Sequence, residues 1–150
     1  MNSDESCLCK SSKVLIFSCS GGSNVGQLAN QAAVELTRSG KGRLFCLAGI
    51  GAHHSGMIES SKAGDLLVAI DGCPVKCAQK TLEHANLKPE VCVVITELGI
   101  EKSHNLSLED GECKRVVDKV GQEISGFLGC RQQNTNENSR VKVEEGGAGA

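Results

Sequence analysis

Cys19, Cys46, Cys73 and Cys77 are the residues of this chain whose type and placement offer chemistry. Cys19 follows Val14-Leu15-Ile16-Phe17-Ser18. Cys46 lies inside Arg43-Leu44-Phe45-Cys46-Leu47, and Cys73 follows Leu66-Leu67-Val68-Ala69-Ile70-Asp71-Gly72. Each run is short, apolar and continuous, as in a buried strand. If these strands are parallel neighbours, their carboxyl ends converge on one edge of the sheet, and four thiolates meeting there form the ligand set of a tetrahedral zinc site. Cys73 and Cys77 are one helical turn apart, so a helix opening at Pro74 would put both on one face. Its dipole would favour a thiolate at Cys73. The same sulfurs admit a thiol redox or sulfur-transfer protein, with Cys73 as nucleophile and Cys77, Cys19 or Cys46 resolving it. Cu(I) or an iron–sulfur cluster also suits four thiolates. A third class is a metal carrier or sensor in which Cys7-Leu8-Cys9 hands the ion over.

The other reactive side chains read as structural. Cys92, in Val91-Cys92-Val93-Val94, is expected in the core, and Cys113 and Cys130 fall on or beside a last helix, away from the strand ends. Cys7 and Cys9 lead into the amino end of the first strand, the wrong edge for the main site unless the arm folds back. Gly21 to Leu28 has the glycine spacing of a phosphate loop, but Gln27 and Leu28 stand where Lys and Ser or Thr are needed. Val25, six residues after Cys19, stands where a phosphatase-type thiolate loop needs Arg. His53 and His54 are read as a solvated helix cap, and Lys76 and Lys80 as a solvated helix face. Asp71 either orients a ligand or shapes the turn. No Glu or His stands as a general base beside the cysteines, so a hydrolytic enzyme is the weaker reading.

Composition narrows the class. The 150 residues suit one domain with a real core, built from Val, Leu, Ile and Ala, because there are three Phe and no Trp or Tyr. Scarce aromatics and a net charge of -2 argue against a nucleic-acid partner. No run approaches a transmembrane span, which argues against a membrane partner. Nine cysteines behind an N-terminus without a signal-peptide pattern imply thiols or metal ligands in a reducing, cytoplasmic setting. The expected partner is a metal ion.

The elements that must position these residues follow from the same pass. Residues 1–12 are expected as a flexible arm, 13–130 as an α/β domain and 131–150 as a disordered polar tail. Val25, Leu28, Ala32 and Leu36 have helical spacing, with Gly40 as the stop. Ala48 to Ala52 reads as a loop, and a weaker helix runs from His53 to Lys62. The next helix starts at Pro74 and runs to about Ala85, and Val91 to Ile95 makes a fourth strand. Ser107-x-x-Asp110 resembles a capping box before a stripe of Val116, Val120, Ile124 and Phe127. Strands alternating with helices predict a small doubly wound, mostly parallel four-stranded sheet with flanking helices, whose site lies outside the carboxyl strand ends.

Ser18-Cys19-Ser20-Gly21, Phe45-Cys46-Leu47-Ala48-Gly49-Ile50-Gly51 and Ile70-Asp71-Gly72-Cys73-Pro74-x-x-Cys77-Ala78 together resemble the DGC-domain family, named for its Asp-Gly-Cys motif. The resemblance covers about residues 10 to 105, with three segments agreeing in order and spacing. It implies zinc held by four cysteines, which by that match are Cys19, Cys46, Cys73 and Cys77. It implies no particular reaction.

Overall fold

The structure, a computed structural model, describes residues 12–144. The N-terminal segment 1–11, with Cys7 and Cys9, lies outside the described residues, as do residues 145–150. Four strands, β1 (Val14–Ser18), β2 (Arg43–Leu44), β3 (Leu66–Asp71) and β4 (Val91–Val94), form one sheet in the order β2-β1-β3-β4, with every pair parallel. This is the small α/β sheet that the alternation of runs predicts.

Alternation along β1 and β3 divides the core into two layers. Val14, Ile16, Val68 and Ile70 face helices α1 (Asn24–Arg38) and, at the C-terminal end of the chain, α5 (Asp110–Glu144). Leu15, Phe17, Leu67 and Ala69 pack on α2 (Leu47–Gly51) and α4 (Cys77–His84) through Ile50, Ala78 and Leu82. A third short helix, α3 (Ser55–Lys62), leads into β3. No helix among the described residues is long and apolar enough to cross a membrane.

Several elements differ from expectation. β2 is only two residues long, because as an edge strand it pairs with β1 alone, and the chain leaves the sheet after the Phe45 N–H donates to the Ile16 carbonyl at 2.8 Å. The expected loop after Cys46 is instead helix α2. Cys92 is exposed and not in the core: β4 is the other edge strand, and Cys92 alternates with the buried Val91 and Val93. α4 opens at Cys77 and not at Pro74, because Cys73–Lys76 forms a turn closed by the Lys76 N–H on the Cys73 carbonyl at 3.1 Å. Pro74 takes the second position of that turn, which its fixed φ suits. β4 stops at Val94, and a 3-10 turn covers Ile95–Leu98. α5 begins at Asp110 and continues to Glu144, past the boundary at Arg131 set by the fall in apolar content. No Gly or Pro interrupts residues 131–145.

Candidate thiol site at the carboxyl edge

The strand order reverses between β1 and β3, and a doubly wound sheet forms its ligand crevice at such a point. Cys19 follows β1 and Cys73 follows β3. Together with Cys77 they line one cavity of about 450 Å³.

Three neighbouring residues explain how Asp-Gly-Cys builds this edge. Asp71 ends β3, 3 % exposed, and its carboxylate accepts the Ala78 N–H at 2.7 Å and the Gln79 N–H at 3.0 Å. It therefore caps the first turn of α4 and ties that helix to the strand. Burial pushes its carboxyl above the ordinary range, and the two N–H donors work against that shift. Gly72 passes so close to the start of α1 that a Cβ would lie 2.8 Å from the backbone carbon and oxygen of Val25. Cys73 is thereby held against the α1 end of the crevice, with its sulfur 3.6 Å from the Lys102 ammonium, which donates to it.

Cys19 is half-buried and accepts the Gly72 N–H at 3.1 Å. Burial raises its thiol pKa, and the Gly72 N–H pulls it back in part. Cys77 is exposed and is the first residue of α4. The helix terminus expected beside Cys73 thus belongs to Cys77, and the pair flanks a turn in which Lys76 adopts a left-handed φ of 55°.

Cys46 is placed differently. It is the N-cap of α2, its sulfur accepting the Gly49 N–H at 3.3 Å, and it lines an adjoining cavity of about 630 Å³. The two cavities share Ser20 and Leu47. Cys113 and Cys130 lie on α5, away from this edge. His53, at a φ of 55°, stacks edge-on with His84 at a centroid distance of 5.2 Å, and neither lines the thiol cavity.

The donor types fit a soft or borderline cation: thiols, two of them receiving peptide N–H groups of the kind that orient ligating atoms. The spacing is that of separate thiols, since among the described residues no three His, Cys, Asp or Glu side chains stand close enough to hold a metal ion.

Lys102 and His104, also in the cavity wall, escape sequence reasoning. They belong to a segment without regular structure between the 3-10 turn and α5, clasped to α1 by Asn24. Its side chain donates to the Glu101 carbonyl at 2.8 Å and accepts the Ser103 N–H at 2.6 Å, and its own N–H donates to the Ser103 carbonyl at 3.0 Å. No local pattern announces a contact between residues 29 apart in sequence.

Fold and site together define a doubly wound α/β protein with a thiol-lined crevice at its switch point. The DGC domain matches residues 15–120, most of the chain, and the chain belongs to that family. The match reaches into α5, further than the three motif segments. A curated relative, the "Anaerobic and virulence modulator AnvM" of Pseudomonas aeruginosa, is 31% identical over 102 residues, covering 68% of this chain and 78% of its own. No solved structure matches.

Proposed function

We propose that this chain is a zinc-binding protein in which Cys19, Cys73 and Cys77, with Cys46 as the fourth ligand from the adjoining cavity, draw together from their separate positions around the ion. The observation that carries this reading is that three cysteines from two distant parts of the sequence, Cys19 after β1 and Cys73 and Cys77 after β3, line one cavity at the switch point. Four thiolates would give a closed, structural type of site. A regulatory role, in keeping with the modulator named in Pseudomonas aeruginosa, suits such a site better than hydrolysis. Elemental analysis of the full chain, purified without added metal, should give one zinc per chain. Cys73→Ser and Cys77→Ser should each abolish stoichiometric binding, while Cys92→Ser and Cys130→Ser leave it intact. Equal loss in all four variants would defeat the assignment.

A second reading, thiol redox or sulfur-transfer chemistry at Cys73, is favoured by the Lys102 ammonium beside that sulfur. Thiol-reactive dye separates the two. Zinc shields its ligands until a chelator removes it, whereas a redox nucleophile labels fastest in untreated protein. Iron with visible absorption in the elemental analysis would instead indicate a cluster.

A further inference from the structure

The thiol cavity is far larger than an ion requires. At about 450 Å³ it falls in the range of small-molecule pockets. Its wall is also unbalanced in charge: Lys102 is present, and no Asp or Glu lines it. Among the described residues no carboxylate lies within ion-pairing distance of Lys102, whose nearest partner is the Cys73 sulfur at 3.6 Å. The backbone on either side of Lys102 is held in place, because Asn24 clasps the Glu101 carbonyl and the Ser103 N–H. The same wall carries apolar side chains. Leu47 forms part of it, and so does Val75, which is 55 % exposed although most large apolar side chains in this fold are covered. A cation without a carboxylate partner, in a cavity that also presents apolar side chains, complements a molecule with one anionic end and one apolar end.

We propose that this cavity binds a small organic anion, its carboxylate or phosphate paired with Lys102 and its apolar body against Leu47 and Val75. The site goes beyond the zinc reading and is tested apart from it, because Lys102, Leu47 and Val75 are not among the proposed zinc ligands. Lys102 acts here as the specificity-determining residue and Asn24 as a positioning residue.

The test is calorimetric titration of the full chain, both as purified and after chelation, with four probes of matched body: hexanoate, hexyl phosphate, hexanol and hexylamine. At least one anion should bind saturably at millimolar concentration. The better of the two identifies the head group, and hexanol and hexylamine should bind at least about tenfold more weakly. Lys102 is exposed, so Lys102→Glu should keep the wild-type melting temperature while losing about tenfold or more in anion affinity. Asn24→Ala, which frees the segment but keeps the charge, should fall between the two. In the chelated protein the bound anion should also slow dye labelling of Cys73. Failure of both anions to bind would overturn the proposal. So would hexylamine binding as tightly as they do, or an affinity unchanged in Lys102→Glu. Zinc content measured on the same samples tells failure here apart from failure of the metal reading.

Discussion

Cys19 shows how the setting of one residue makes a general thiol reaction pH-dependent. Metals bind the thiolate, and burial raises the Cys19 thiol pKa above its ordinary value, so loading zinc there must expel a proton. Zinc affinity should therefore climb as pH rises and fall in mild acid. Calorimetric titrations in buffers of different ionisation heat should register proton release on binding. A binding heat independent of the buffer would count against ligation by thiols, Cys19 included, and a Cys19→Ser variant that releases as many protons as wild type would remove Cys19 from the ligand set. Asp71 makes the opposite case, a titratable residue whose work is structural. Its raised pKa means the native state holds the proton more tightly than the unfolded chain does. That contribution favours folding below the ordinary carboxylate range and is lost as pH rises through the raised value. Asp71→Asn removes the titration and should flatten this part of a urea-stability profile against pH. A profile with the wild-type slope would contradict it.

Among the elements, the approach of the β3–α4 connection to α1 is the tightest joint around the site. A Cβ on Gly72 would meet backbone atoms of Val25 and the Gly26 nitrogen, none of which can move as a flexible side chain would. Gly26 repeats the arrangement one layer on, since its own Cβ would lie 2.7 Å from the Gly21 nitrogen. The two glycines let the loop after β1, the start of α1 and the turn after β3 share one small volume. Gly72→Ala should accordingly lower stability by about 1–3 kcal/mol, measured by urea denaturation, and displace Cys73 from Cys19. A wild-type midpoint would show that the joint is looser than this packing implies. α2 also sets the place of Cys46. As a short helix capped by that sulfur, it turns the thiol toward the adjoining cavity.

For the whole molecule, the site joins four parts of the chain: the loop after β1, the turn after β3, the cap of α2 and the segment before α5. A ligand that bridges them binds the folded state alone and stabilises it by mass action, by about 2.7 kcal/mol at a hundred times Kd. Chelation of the zinc-loaded protein should then lower Tm by roughly 5–10 °C. An unmoved Tm, with metal loss confirmed, would exclude a structural role for the ion.

What the sequence by itself determined is the part governed by local pattern. Continuous apolar runs mark β1 and β3, helical spacing marks α1 and the core stripe of α5, and Asp-Gly-Cys-Pro marks a turn. Alternation of these elements implies a parallel sheet, and a parallel sheet carries its loops to one edge, so pattern alone points to Cys19, Cys46, Cys73 and Cys77 together; in the structure three of them line one cavity and Cys46 lines the adjoining one. Tertiary structure decided what depends on which strands lie at the edges and what packs across them. Edge placement cut β2 short, made Cys46 a helix cap and exposed Cys92, because an edge strand has one hydrogen-bonding neighbour and incomplete cover. The contacts of Lys102 with Cys73 and of Asn24 with Ser103 join segments far apart in sequence, and such contacts exist only once the chain has closed on itself.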